Sequence, residues 1–287
     1  MYLQHFGLAQ YPFSLTPNTR YFLKLPSHQM AFDSLIRAMR EPGAFSLITG
    51  EVGTGKTLLC RKVLNALSLY PRKFSTAFIP HPILNEEATM QHIADELHLD
   101  SSKSKDYRSL LKLITAAILV EAKEKRQVIL FVDEAQAMPD ESLRAIHLLT
   151  QVRYEDRWAL KVVLFGQPEL HSLLDRPGLH QVKEDVGLTF ILPELDRESL
   201  EAYVEFRLAK AGYSGRHMFT SSALSSLLEH SGGVPRMINI LCHKSMLVAF
   251  GKGEQLIDEP HVMRAVEDTF PEKSSGSWLS RIFPGKA

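Results

Sequence analysis

An α/β domain on a parallel sheet, followed by a small all-helical domain, is the fold class that three observations in this sequence predict. First, Ala44-Phe45-Ser46-Leu47-Ile48-Thr49 is a short apolar run suited to a buried strand, and Leu58–Leu67 carries apolar residues at helical spacing. Between them Gly50-Glu51-Val52-Gly53-Thr54-Gly55-Lys56-Thr57 fits G-x-x-x-x-G-K-[ST], the phosphate loop, which needs a strand before it and a helix after it. Second, strand and helix signals alternate up to Leu192, as they do in parallel sheets covered on both faces. Third, strand signals stop at Pro193, and four capped amphipathic segments follow.

In chain order, residues 1–26 are rich in aromatics and proline (Tyr2, Phe6, Tyr11-Pro12-Phe13, Tyr21-Phe22, Pro26) and read as an irregular arm packed on the core. Ser27 is placed to cap a helix through Met30, Leu35 and Met39, ended by Glu41-Pro42-Gly43. Residues 27–193 then form the α/β domain. Its further strands are expected at Ser75–Ile79, Gln127–Val132, Leu160–Phe165 and Leu188–Leu192, which makes five with the first. Its helices are expected after Asn85, from Asp106, from Pro139-Asp140, and over Glu169–Leu174. Residues 194–270 form the helical domain, with starts at Asp196, Thr220, Pro235 and Asp258 and a Gly232-Gly233 break. Residues 271–287 read as a linker carrying a short apolar docking segment, Trp278-Leu279-Ser280-Arg281-Ile282-Phe283.

Composition narrows the function classes. Lys+Arg and Asp+Glu each number 33, so no basic surplus points to nucleic acid. No apolar stretch reaches a membrane span, and the N-terminus shows no basic region or apolar run of a signal peptide. The two cysteines, Cys60 and Cys242, sit in apolar helical segments as buried free thiols, which fits a cytoplasmic, reducing compartment. The 12 histidines show no metal-binding spacing, and no nucleophile elbow occurs.

The chemistry gathers around the phosphate loop. Gly53 and Gly55 let the backbone approach a phosphate closely, and the N–H groups of Gly50–Leu58 point at the anion. Lys56 is the cation for the β- and γ-phosphates of a nucleotide, and the Thr57 hydroxyl is a ligand for Mg²⁺. Val128-Ile129-Leu130-Phe131-Val132-Asp133-Glu134 puts Asp133 at a strand's carboxyl end, where it holds Mg²⁺ through the water shell. Glu134 is the candidate that polarises the attacking water. Gln167, just past the next strand, has three readings: holding that water, sensing the γ-phosphate, or an ordinary loop amide. Arg236, in Gly232-Gly233-Val234-Pro235-Arg236, reads as a phosphate contact or as a surface Arg at a helix start.

Together these motifs resemble an AAA+ ATPase. Tyr2, Phe6-Gly7-Leu8, Pro12-Phe13-Ser14, Thr16-Pro17, His28, Asp133-Glu134-Ala135-Gln136, Gly166-Gln167-Pro168-Glu169-Leu170 and Gly232–Arg236 with Ile238-Asn239 resemble the ExeA/GspA-type ATPases of bacterial secretion. Within that group the resemblance is to the short, MshM-type ATPases of MSHA pilus biogenesis. It implies ATP hydrolysis with Mg²⁺ and a homo-oligomer, ring or dimer, or a hetero-oligomer with pilus or secretion components. It also implies an inner-membrane partner protein and a cytoplasmic location, peripheral at the inner membrane. Longer relatives append a membrane span and a peptidoglycan-binding domain, and this chain stops before either, so cell-wall binding is not expected. Two positions depart from the family pattern. Asp185, in His180-Gln181-Val182-Lys183-Glu184-Asp185-Val186, stands where an arginine finger is expected, which implies slow turnover unless Lys183 or Arg176 substitutes. His81 stands where Asn is common, at the position that holds the catalytic Glu between turnovers. Two other functions share the core: a transposition-helper type of DNA-associated ATPase, and a nucleotide-gated switch with little turnover.

Overall fold

The computed structural model describes residues 2–16, 21, 23, 25–82, 85–102, 104 and 106–270. The expected docking segment at Trp278–Phe283, with the rest of 271–287, lies outside the described residues. The elements run α1 (Tyr2–His5), α2 (Pro26–Ala38), β1 (Phe45–Thr49), α3 (Lys56–Leu67), β2 (Phe74–Ile79), α4 (Glu86–Glu96), α5 (Tyr107–Lys123) and β3 (Gln127–Val132). They continue with α6 (Asp140–Thr150), β4 (Arg153–Tyr154), β5 (Arg157–Trp158), β6 (Leu160–Gly166), α7 (Glu169–Leu174), α8 (His180–Glu184) and β7 (Val186–Ile191). The last four are α9 (Arg197–Lys210), α10 (Ser221–Ser231), α11 (Pro235–Lys252) and α12 (Glu259–Thr269). Two compact units result, residues 24–193 and residues 1–23 with 194 onward.

In the first unit a five-stranded parallel sheet has the order β2-β3-β6-β1-β7. The central strands β1, β3 and β6 are near-continuous apolar runs because helices cover both of their faces. Phe45, Phe131 and Phe165 are fully buried, and the rings of Phe131 and Phe165 stack at 6.5 Å. Each such side chain contributes about 1.5–3 kcal/mol of burial. The edge strand β7 alternates between half-buried and exposed residues.

Helix starts follow local chemistry. Asn85 caps α4 by accepting from Ala88 N at 2.8 Å, and Asp106 and Ser109 form a capping box on α5. The expected Ser27 cap is not used: Leu25 is the N-cap and α2 starts at Pro26, two residues earlier than a Ser27 cap implies, where a missing N–H costs nothing. Three elements of this unit, β4, β5 and α8, were not expected. The hairpin β4–β5 turns through Glu155 and Asp156, both with positive φ (48° and 60°). The short helix α8 precedes β7.

In the second unit Asp196, Thr220 and Asp258 cap α9, α10 and α12, and Gly232 ends α10 in the left-handed conformation. The Thr220 and Ser222 hydroxyls and the Glu259 N–H all donate to Asp258, and hold its carboxyl down at about 2. The sequence predicts an irregular N-terminal arm on the α/β core. Instead residues 1–23 group with the helical unit, and the arm begins with a helical turn, α1. Ala9 N donates to Ala211 O at 2.8 Å, and Tyr2 is buried beside Tyr11 and His243, its hydroxyl pushed up to about 12 by that burial.

Arg207 is the arm's anchor. Its buried guanidinium donates to Pro12 O at 2.6 Å, Ser14 O at 3.0 Å and the Tyr203 hydroxyl at 2.7 Å, and lies over the Tyr21 ring at 4.8 Å. A charged donor bonded to carbonyls contributes about 1.5–3 kcal/mol per bond. Arg207→Ala is expected to lower the melting temperature and to expose residues 1–23 to protease. A variant whose arm stays as resistant as that of the wild type would refute this anchoring.

Among the described residues no helix is long and apolar enough to cross a membrane. Both cysteines are buried free thiols, and burial pushes each thiol up.

Candidate nucleotide site

The strands β3, β6 and β1 are neighbours and parallel, so their carboxyl ends lie side by side. Open α/β sheets bind ligands at that edge. β1 leads into the Gly50–Thr57 loop, β3 into Asp133-Glu134, and β6 into Gln167. The structure thus gathers three of the four sequence-predicted groups on one edge. The fourth, Arg236, belongs to the helical unit, where it is exposed in the first turn of α11.

The loop is shaped by its glycines and one histidine. Gly53 and Gly55 have φ of 90° and 105°, and Gly55 is the N-cap of α3. A Cβ on Gly55 would lie 3.0 Å from His28 Nε2, which is itself 3.0 Å from Thr54 O. Burial holds the His28 imidazole below its ordinary value, so the neutral ring donates to Thr54 O. No side chain caps α3 among the described residues, so its first-turn N–H groups remain available to an anion.

Lys56 is buried, and its ammonium donates to Gly50 O at 2.7 Å and Glu51 O at 2.9 Å. Burial lowers its pKa, while Glu134, Asp133, Glu51 and Glu169 oppose that shift. Asp133 is buried too, and desolvation raises its pKa against hydrogen bonds from the Thr57 hydroxyl and the Glu134 N–H. A hydroxyl and a carboxylate in contact are the hard oxygen donors that a magnesium ion takes. The residues present therefore fit a nucleotide phosphate with its metal.

Glu134 has φ 53° and ψ 39°, a left-handed conformation that costs a non-glycine residue about 1–2 kcal/mol. Its Oε2 accepts from Gln136 Nε2 at 2.7 Å and from Gln167 Nε2 at 3.3 Å. Gln167 N in turn donates to Gln136 Oε1 at 3.0 Å. These contacts tie Gln167 to Glu134, a partner that none of its three sequence readings named. His81, the departure from the family's Asn, is exposed and has no hydrogen bond to Glu134, whose described side-chain partners are the two glutamines. His28 and Gln136 were present in the motif runs, but no spacing rule assigns either a partner. His171, whose Nε2 lies 3.1 Å from the buried Thr49 hydroxyl, gave no sequence signal.

The finger position is likewise turned to another use. Asp185 directly precedes β7, at the sheet edge opposite the loop, and its Oδ2 lies 2.9 Å from His147 Nε2 and 3.2 Å from Gln151 Nε2. Its carbonyl accepts from Ala44 N and Phe45 N, and the His147 ring stacks on Phe45. Asp185 therefore fastens α6 to the start of β1. Both substitutes considered are in ion pairs: Arg176 with Asp140 at 3.0 Å, and Lys183 with Asp175. Asp185→Arg is expected to cost about 1.5–3 kcal/mol, because it replaces a charged acceptor by a charged donor facing His147. Urea denaturation reads this directly, and an unchanged midpoint would count against the His147 contact.

Comparison with known proteins agrees with this geometry. Residues 39–174 match the family model of an AAA domain. General secretion pathway protein A of Aeromonas hydrophila is 35% identical over 282 residues, which are 98% of this chain and 51% of that protein. An uncharacterized HTH-type transcriptional regulator of Methanocaldococcus jannaschii is 25% identical over 188 residues, 64% of this chain and 44% of that protein. The chain thus spans about half the length of the curated relatives it matches. Among solved structures, the Aeropyrum pernix ORC2 protein aligns with TM-score 0.61 at 17% identity, over 93% of this chain and 73% of that one. Cdc6p from Pyrobaculum aerophilum aligns with TM-score 0.67 at 18% identity, over 90% and 70%. The Thermotoga maritima RuvB branch migration motor aligns with TM-score 0.60 at 14% identity, over 95% and 78%. At these identities the likeness is one of fold.

Proposed function

We propose, from the similarity of this chain to general secretion pathway protein A, of residues 39–174 to an AAA domain and of its fold to AAA+ proteins, that it binds and hydrolyses ATP to drive assembly of a secretion or MSHA-type pilus machine. The observation that supports this most is the meeting of the buried Lys56 ammonium, the Thr57–Asp133 pair and the Glu134 carboxylate at one sheet edge. In this reading the backbone of Gly50–Leu58 receives the phosphates, and Lys56 leaves its carbonyl partners to neutralise them. Thr57 and Asp133 would hold Mg²⁺, which supplies charge neutralisation on the transferring phosphoryl group. Glu134 orients a water and takes its proton, and Gln167 steadies Glu134.

The chain works as an oligomer of its own or with machine components, and its partner is an inner-membrane protein. Turnover by the isolated chain is slow, because Asp185 is committed to His147 and an exposed cation must leave its own ion pair to serve a neighbour. Calorimetric titration with ATP, with and without Mg²⁺, tests the site. Capture of the ATP-bound chain, with identification of what co-purifies, tests the assembly role; recovery of nothing from the envelope would overturn that role and leave the ATPase reading standing.

A further inference from the structure

We infer that Gln136 is a positioning residue for hydrolysis: its side-chain amide joins Glu134 to the Gln167 loop and fixes which carboxylate oxygen faces the water. The inference rests on the proposal that Glu134 is the base. Gln136 lies in the 3₁₀ turn Ala135–Ala137 that follows Glu134. Its Nε2 donates to Glu134 Oε2 at 2.7 Å while its Oε1 accepts from Gln167 N at 3.0 Å. Gln167 Nε2 closes the ring onto the same Oε2 at 3.3 Å. Both amide donors therefore converge on one oxygen, and Oε1 of Glu134 has no partner among the hydrogen bonds described. A carboxylate held by one oxygen cannot rotate freely, so its free oxygen keeps one direction.

The amide of Gln136 has only one workable orientation. Reversed, its oxygen would face a carboxylate oxygen and its NH₂ would face the Gln167 N–H, so both contacts would be repulsive. Room for this amide depends on Gly166, where an added Cβ would come within 3.1 Å of Gln136 Oε1 and 2.9 Å of Leu170 Cδ2. The amide thus occupies a tailored space between the ends of β3 and β6, and movement of the Gln167 loop reaches Glu134 through it. A glutamate at 136 would set carboxylate against carboxylate, and an apolar side chain would leave Glu134 free to turn.

The test is single-turnover hydrolysis with the full chain in excess over ATP, beside the affinity for a fluorescent ATP analogue. Gln136→Leu is expected to slow hydrolysis about tenfold or more, in keeping with a part of the ~10²–10⁴-fold that a positioned base supplies. The analogue's affinity should stay within about twofold of wild type, since the residue touches no phosphate-binding group. Gln167→Ala combined with Gln136→Leu should cost less than the product of the two single effects, because both act on one oxygen. Gln136→Asn, which keeps an amide but cannot span both contacts, should behave as Gln136→Leu and replaces it if the leucine variant does not fold. An unchanged rate, a parallel loss of affinity, or fully multiplicative effects would overturn the inference. If Glu134→Gln hydrolyses normally, the reading of Glu134 as base fails, and this inference with it; if Glu134→Gln is inactive while Gln136→Leu is normal, only this inference fails.

Discussion

Lys56→Ala is expected to weaken nucleotide binding by about 30- to 4,000-fold. The side chain is the one cation held inside the loop, and it lies among Glu51, Asp133, Glu134 and Glu169. Without it those carboxylates face the incoming phosphates uncompensated. Removing one member of a buried, hydrogen-bonded charge pair costs about 2–5 kcal/mol, and each 1.4 kcal/mol is about tenfold in affinity. The loss must be separated from unfolding, since Lys56 also ties together Gly50 O and Glu51 O. A melting curve recorded beside the titration makes that separation. A folded Lys56→Ala protein with wild-type affinity would show that the Gly50–Thr57 loop does not bind the nucleotide.

What the sequence made legible was local. β1, β3 and β6 could be read because burial on both faces demands uninterrupted apolar runs. The caps at Asn85, Asp106, Asp196, Thr220 and Asp258 could be read because each needs only one side-chain oxygen before a periodic segment. The β4–β5 hairpin could not, because its turn uses Glu155 and Asp156 in a conformation usually signalled by Asn-Gly. α8 spans five residues, too few for a helical period to stand out. The arm's attachment could not be read either, since the carbonyls that Arg207 holds lie 195 and 193 residues away.

The same limit divides the site. The phosphate loop and Asp133-Glu134 are contiguous runs, and reading them required no knowledge of the fold. The Gln136–Gln167 contact joins the ends of two strands, and the Asp185–His147 pair joins the start of β7 to α6. Strand order alone brings those residues together, and no local pattern encodes strand order. Asp185 shows the consequence: the family pattern puts an arginine finger for a neighbouring subunit at its position, while the partner the structure gives it, His147, lies in its own chain.

Glu134→Gln is expected to leave ATP binding intact and to slow hydrolysis by about 10² or more, within the range that a general base supplies. The substitution is nearly isosteric, and the local network can absorb it. Gln136 Nε2 and Gln167 Nε2 both donate to Oε2, and the carbonyl oxygen of a glutamine accepts the same two bonds. The left-handed backbone at position 134 is also held from outside, since Ala137 N donates to Glu134 O at 2.9 Å. What disappears is the negative charge and the capacity to take a proton from water. Binding should survive because the groups proposed to meet the phosphates, Lys56 and the loop N–H groups, are untouched. Removing one carboxylate from the surroundings of Lys56 should even favour the anionic nucleotide slightly. The variant should therefore accumulate in the ATP-bound state, and if neighbours close each other's sites it should sediment as a larger species with ATP than without. Single-turnover hydrolysis and sedimentation velocity on the same preparation read both effects. Turnover at the wild-type rate would mean that a group other than Glu134 activates the water, and the carboxylate held by the two glutamines would then be a structural contact.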